Sequence, residues 1–170
     1  MIMRRKFLTA VLVAPALLRV QPAHAVPEID TPAPPLAGEL FSGERFDLER
    51  MRGKVVLINF YSSYCRYCAY EIGLLESVYE EYRDAGLEVI AIGVDSLEDR
   101  ERVARNLGMY HLPGTMAATL TRNGFGGRYP TPTAFIVDRQ GILRLKITGA
   151  KTPRHYRETI LPLLDDAPAR

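Results

Sequence analysis

The chain has 170 residues, 47% of them hydrophobic and 25% charged, which fits one ordinary globular domain with a sizeable core. Its formal charge of +2 comes from the N-terminus: the first 25 residues hold Arg4, Arg5, Lys6 and Arg19 and no acid, leaving 18 basic against 20 acidic residues beyond them. That balance gives no electrostatic case for nucleic acid as a partner.

The first 25 residues read as a secretory signal. A basic stretch Arg4-Arg5-Lys6 precedes an apolar run from Phe7 to Leu18, and Ala23-His24-Ala25 supplies a small-residue cleavage site before Val26. The apolar run is about half the roughly 20 residues of a membrane span, and Pro15 and Arg19 interrupt it. Cleavage to a chain beginning at Val26, with no stable membrane span left, is the expectation, an uncleaved anchor being the alternative. Arg4-Arg5-Lys6-Phe7-Leu8 also resembles a twin-arginine signal, so both the Sec and the twin-arginine route stay open. Either route predicts a periplasmic or otherwise exported protein.

Residues 26–37 hold Pro27, Pro32, Pro34 and Pro35 with no periodic apolar face, and read as an extended lead-in to a domain over residues 38–165 with a short tail at 166–170. Leu40-Phe41 and Arg45-Phe46-Asp47-Leu48, separated by a turn containing Gly43, predict a hairpin. Val55 to Tyr61 is continuously apolar apart from Asn59 and suits a central strand buried on both faces. A helix follows, with Ile72, Leu75, Val78, Tyr79 and Tyr82 on one face and Gly86 as its stop. Leu87–Val94 predicts a second buried strand, and Ser96, with Asp99 three positions on, opens a charged helix running to about Leu107 before Gly108. Strand, helix, strand, helix argues for a parallel pair joined by a right-handed crossover. Residues 109–129 are less regular, with a strand around Met116–Leu120 and a flexible loop at Gly124-Phe125-Gly126-Gly127. Ala134–Val137, the turn Asp138-Arg139-Gln140-Gly141 and Ile142–Ile147 form a hairpin, and a last helix covers about Pro153 to Leu164.

The only two cysteines, Cys65 and Cys68, stand two residues apart. So small a loop restrains little of an unfolded chain, which makes the pair chemical rather than structural. A dithiol oxidoreductase needs one exposed thiol that ionises readily and a second within reach to resolve the mixed disulfide. At the start of a helix the free amide groups and the macrodipole favour a Cys65 thiolate, and Arg66 adds positive charge beside it. The competing readings are half a zinc site or an inert buried pair. Zinc would need two more soft ligands, and beyond the signal only His111 and His155 remain, in no ligand-spaced cluster.

Arg52-Gly53-Lys54-Val55-Val56-Leu57-Ile58-Asn59-Phe60-Tyr61, then Cys65-Arg66-Tyr67-Cys68 and Glu71, resemble the periplasmic thioredoxin-like reductases of the TlpA and ResA kind. Pro132-Thr133-Ala134-Phe135-Ile136-Val137-Asp138-Arg139-Gln140-Gly141 matches that family's second motif, and the resemblance covers about residues 38 to 165. It implies an α/β thioredoxin fold, a central mixed sheet flanked by helices, here with an N-terminal hairpin extension. It implies a thiol–disulfide oxidoreductase acting through Cys65 and Cys68, with no cofactor beyond that redox-active disulfide. Its partners would be cysteine-bearing substrate proteins and an upstream thiol electron donor.

By the same resemblance Pro132 is the cis-proline facing the cysteines, and the Thr131 backbone is a pairing edge for substrate, with Arg66 and Tyr67 also at the substrate surface. Thioredoxins proper carry a buried acid six residues before the first cysteine, where this chain has Asn59. The family's alternative acid, three residues after the second cysteine, is present as Glu71, whose role would be to exchange a proton with Cys68. The other reading of Glu71 is an exposed first-turn glutamate favoured by the helix dipole. Tyr64, Tyr67 and Gly73 depart from the usual tryptophan, proline and proline, which bears on groove shape and redox potential. Tyr61, Tyr64, Tyr67 and Tyr70 cluster about the pair, either lining an apolar docking surface or packing helix on sheet. A reductase is the leading function. A disulfide-donating oxidase would normally carry a large helical insertion, and a copper-binding thiol chaperone would add a His or Met near the pair, where Met109 and Met116 are the nearest candidates in sequence.

Overall fold

The computed structural model describes residues 27–126 and 129–165, so the signal, its cleavage site and the tail at 166–170 lie outside the described residues. In chain order the strands are β1 (Thr31–Pro32), β2 (Leu36–Glu39), β3 (Arg45–Asp47), β4 (Val55–Tyr61), β5 (Leu87–Gly93), β6 (Gly114–Met116), β7 (Arg122–Asn123), β8 (Thr133–Val137) and β9 (Ile142–Thr148). The helices are α1 (Arg66–Tyr82), α2 (Arg100–Met109) and α3 (Pro153–Asp165). The two continuously apolar runs lie side by side: β4 and β5 pair in parallel, from Val55 opposite Leu87 to Tyr61 opposite Gly93. A parallel pair needs a crossover, and α1 supplies it. β8 runs antiparallel along the other side of β4, and β9 turns back on β8, giving the mixed order β1-β9-β8-β4-β5-β6. This is the thioredoxin-like α/β arrangement the sequence predicts.

Every residue of β4 is buried because both faces of the sheet are covered. On one face α1, α2 and α3 pack through Ile72, Leu75, Val78, Val103, Tyr156 and Ile160. On the other, Leu36, Phe46 and Leu48 of the N-terminal segment cover Ile58, Phe60 and Phe135. Here β3, β2 and β7 form a second, three-stranded antiparallel sheet. A hairpin is present as β2 and β3, but its first strand is Leu36–Glu39 rather than Leu40-Phe41, which fall in the connection with Gly43 at φ 86. That left-handed conformation is where glycine carries no steric cost.

Three readings of the sequence change. The lead-in is not merely extended chain: Thr31 pairs with Leu143, the Asp30 amide donates to the Leu143 carbonyl at 2.8 Å, and β2 begins at Leu36, so the fold reaches upstream of residue 38. Prolines tolerate this place because an edge strand need not donate on its outer side. The strand expected at Met116–Leu120 is instead Gly114–Met116, parallel to β5, and a short 3-10 helix, Ala117–Thr119, follows it. Phe125 does not belong to a flexible loop: it is wholly buried, with its ring 5.0 Å from that of Phe135. A further local difference is that α2 passes through Gly108 to Met109, and His111, at φ 48, takes the left-handed conformation soon after it.

Candidate active site

The C-terminal end of β4 delivers the chain through Ser62–Tyr64 to Cys65, the N-cap of α1. Two serines in succession can both serve one acceptor, and the acid that immediately follows the second apolar run is that acceptor. Asp95 Oδ1 accepts from the hydroxyls of Ser62 at 3.0 Å and Ser63 at 2.9 Å, and the Ser63 amide donates to both carboxylate oxygens at 3.1 and 3.0 Å. Tyr64 is tied down from the same connection. Its phenol donates to Asp99 at 2.7 Å, and the Arg102 guanidinium lies 4.2 Å from the centre of its ring. These anchors were not legible as site residues, although an acid just past a buried strand, opposite a Ser-Ser pair, is a signal that points to them.

Cys65 and Cys68 are both free thiols in unlike surroundings. Cys65 is partly exposed. Its sulfur accepts the Cys68 amide at 3.2 Å, and its thiol reaches the Thr131 carbonyl at 3.6 Å. The Thr131–Pro132 peptide is cis. Cys68, one turn into α1, is wholly buried. Burial pushes its thiol up to about 12, and the Cys65 sulfur beside it acts in the same direction.

One turn further along α1, Glu71 is 1% exposed, which rules out the solvent-facing reading of this residue. The Tyr156 phenol on α3 donates to its Oε1, while Oε2 has no partner. Asn59 on β4 is also fully buried and neighbours the carboxylate, and neither its side-chain nitrogen nor its oxygen has a partner. Burial raises the proton affinity of Glu71, whereas Tyr156, Asn59 and the charge of Lys151 oppose that rise. A buried carboxyl of raised affinity, one helical turn from a buried thiol, can accept a proton at a pH where a surface glutamate would already be ionised and weakly basic.

The surroundings of the pair are aromatic and open. Tyr64, Tyr67 and Tyr70 are 66%, 72% and 60% exposed, while Tyr61 is buried and donates to the Val103 carbonyl at 3.2 Å. Tyr61 therefore packs helix on sheet, and the other three face outward. Arg66 is exposed and makes no ion pair among the described residues. A cleft of about 120 Å³ beside the first turns of α1 is lined by Tyr61, Ala69, Ile72, Met109 and Tyr110. Met116 is fully buried in the core, and His111 bonds Glu76 at 3.1 Å, so neither joins the pair. Among the described residues no group of three or more His, Cys, Asp or Glu side chains comes together as a metal site would require.

Residues 29–146 match the AhpC/TSA family. The thioredoxin-like protein YneN of Bacillus subtilis is 29% identical over 132 residues, spanning 75% of this chain and 76% of that protein. The thiol–disulfide oxidoreductase ResA of Halalkalibacterium halodurans is 30% identical over 122 residues, spanning 71% and 68%. Among solved structures, a thioredoxin-family thiol:disulfide interchange protein from Chlorobium tepidum superposes with a TM-score of 0.64 at 23% identity, covering 82% of this chain and 99% of that one. StoA from Bacillus subtilis superposes with a TM-score of 0.59 at 17% identity, covering 76% and 97%. These two likenesses bear on the fold, and the sequence match on the lineage: the chain belongs to the AhpC/TSA family and, within it, to the thioredoxin-like thiol–disulfide oxidoreductases.

Proposed function

We propose that this thiol–disulfide oxidoreductase is exported and reduces disulfides in substrate proteins, with Cys65 as the attacking thiol and Cys68 as the resolving one. The observation that carries the reading is the asymmetry of the pair: Cys65 is partly exposed beside the Thr131 carbonyl, and Cys68 is fully buried behind it. The Cys65 thiolate attacks one sulfur of a substrate disulfide. A Cys65–substrate disulfide forms and the other substrate sulfur leaves as a thiolate, to be protonated from solvent. Cys68 then gives its proton to Glu71 and attacks the Cys65 sulfur. The Cys65–Cys68 bond forms, the second substrate thiolate leaves, and two electrons have passed from protein to substrate. An upstream thiol donor returns the pair to the dithiol, and no cofactor beyond the Cys65–Cys68 disulfide is needed.

Around the pair, the Thr131 backbone preceding Pro132 offers an extended substrate segment a short β-like pairing edge, and Arg66 and Tyr67 flank the attacking sulfur. Export is supported by the basic start, apolar run and small-residue site of residues 1–25. The test is to mix the reduced chain from Val26 with a disulfide-linked peptide and count thiols on each partner. Loss of two protein thiols with gain of two peptide thiols is expected. Net formation of peptide disulfides by the oxidised protein, without reduction by the reduced one, would overturn the assigned direction.

A further inference from the structure

Glu71 is held by an element far from the cysteine motif in sequence. Tyr156 lies 85 positions later, on the buried face of α3 with Ile160 and Leu164, and its phenol is committed to Glu71 Oε1. Both side chains are shielded from water, Tyr156 fully and Glu71 at 1% exposure, so solvent cannot substitute for this bond. The second carboxylate oxygen is equally buried and has no partner, and the neighbouring Asn59 amide is unpartnered at both ends. Buried polar atoms are ordinarily paired, so three orphans on two neighbouring side chains, one of them a helical turn from a buried thiol, mark a place kept polar for a purpose other than stability. The carboxylate is thus asymmetric: Oε1 takes the Tyr156 hydroxyl, whereas Oε2 has no hydrogen-bond partner, the Asn59 amide favouring the charged form from outside bonding geometry.

We propose that Tyr156 is a positioning residue for the redox pair: by binding Oε1 it fixes the Glu71 carboxylate and leaves Oε2 as the oxygen that trades a proton with Cys68. This rests on the proton-exchange role assigned to Glu71 above. The tyrosine is suited to the task because it cannot compete for the proton. Burial and the Glu71 charge hold its phenol far above the usual range, so it remains a donor through the whole exchange. The groups acting on the carboxyl are Tyr156 on α3, Lys151 in the segment leading into α3 and Asn59 on β4, and Cys68 lies three residues back on the buried side of α1. Of these, Tyr156 makes a direct contact from its hydroxyl to Oε1, and with the Asn59 amide it favours the ionised carboxylate. A hydrogen bond donated to the ionised form favours that form, so its removal makes the carboxyl hold its proton to higher pH.

The test is Tyr156→Phe, which keeps the ring and removes only the donor, read by the side-chain carboxyl resonance of Glu71 in isotope-labelled dithiol protein titrated with base. The Glu71 titration is expected to move up by about one pH unit, and the inflection in the pH–rate profile of disulfide exchange to move with it. In a Glu71→Gln background, Tyr156→Phe should leave the rate profile where it was. The carboxyl titration needs no turnover, so it fails or succeeds independently of the reductase reading. An unmoved Glu71 titration in a folded Tyr156→Phe protein overturns the proposal. So does an equal loss of rate from Tyr156→Phe with and without Glu71, since that is what a merely structural tyrosine would give.

Discussion

The amide of Cys68 donates to the sulfur of Cys65 across 3.2 Å, so on the proposed assignment the resolving residue already contacts the attacking one through its backbone. A donor at a helix N-terminus favours a thiolate over a thiol. The Cys68 side chain is meanwhile buried and held protonated, with its thiol pushed up to about 12. On the proposed assignment this separates attack from resolution. Cys68→Ser is expected to convert most of the protein to a Cys65–substrate mixed disulfide on mixing with a disulfide peptide, visible by non-reducing electrophoresis and intact mass. Cys65→Ser should trap essentially none; substrate trapped on Cys68 would reverse the assignment.

Burial raises the proton affinity of Glu71 above its ordinary value of 4.5, with consequences of opposite sign for stability and for rate. As pH rises past 4.5 the unfolded chain gives up this proton before the folded one does, so folding stability falls until the folded carboxyl has ionised. Glu71→Gln removes that loss. The variant should melt at or above the parent temperature at pH 7, the difference shrinking as pH falls below 4.5, while disulfide exchange at neutral pH slows by about tenfold or more. Parallel thermal melts and exchange rates across pH decide this. A lower melting temperature with an unchanged rate would mean that Glu71 is a structural residue.

How far this site was legible follows from which contacts are local. The cysteine spacing, the strand before it and the helix after it are short-range patterns, and the central sheet followed from two apolar runs too long and too β-branched to be anything but buried strands. Glu71 could be marked from the second cysteine, but whether it was buried depended on α3. Tyr156 carries no sequence signal beyond being a hydroxyl on an otherwise apolar helical face. Asp95, 30 residues after Cys65, belongs to the site only because β4 and β5 pair in register and bring the ends of both strands together. The second sheet was half visible. Its hairpin has turn chemistry, but β7 is two exposed residues, Arg122–Asn123, with no pattern of their own. Phe125 was hidden by its glycine neighbours, which read as a loop although the aromatic ring between them is a core residue.

Asp95 is the staple that holds the segment before Cys65. Its carboxylate receives both serine hydroxyls and the Ser63 amide, and hydrogen bonds to a charged group are typically worth about 1.5–3 kcal/mol each when they cannot be replaced by water. The site is partly open, so water recovers much of that. Asp95→Ala should lower stability by about 2 kcal/mol and slow Cys65 exchange several-fold, whereas Asp95→Asn, which keeps an acceptor, should lose less of both. Denaturant midpoints and exchange rates measured on the two variants provide the check. Equal, negligible effects would show that Ser62–Tyr64 hold their shape unaided.

Tyr67 and Tyr70 project from the first turns of α1 at 72% and 60% exposure, too open to serve the core. Their rings suit an extended, apolar substrate segment lying along Thr131, and a contact of this kind contributes about 1 kcal/mol. Tyr67→Ala is therefore expected to raise KM for a disulfide peptide by roughly fivefold and to leave the rate with a small aromatic disulfide within about twofold. A loss shared equally by both substrates would move Tyr67 from recognition to the chemistry of the pair.

The redox potential follows from what the dithiol form gains over the disulfide. Whatever stabilises a Cys65 thiolate also stabilises the reduced protein and makes it less reducing, and about 30 mV corresponds to about 1.4 kcal/mol for this two-electron couple. The Cys68 amide stands 3.2 Å from the Cys65 sulfur, and Arg66 is the next residue along the chain. Arg66 is exposed, so solvent screens it, and a charge in that position contributes only tens of millivolts at most. Buried Cys68 gives no second thiolate to stabilise at neutral pH, since burial pushes its thiol up to about 12. The potential is therefore expected between that of thioredoxin, near roughly −270 mV, and that of a strong oxidant, near roughly −120 mV, and closer to the first. Equilibration with defined ratios of reduced and oxidised glutathione, with the Cys65–Cys68 disulfide quantified by alkylation and mass, measures it. The same protein should shift a disulfide peptide toward its dithiol when supplied with reducing equivalents. A potential at the oxidising end, together with net disulfide donation to a reduced peptide, would reverse the direction of the reaction while leaving the geometry of the pair intact.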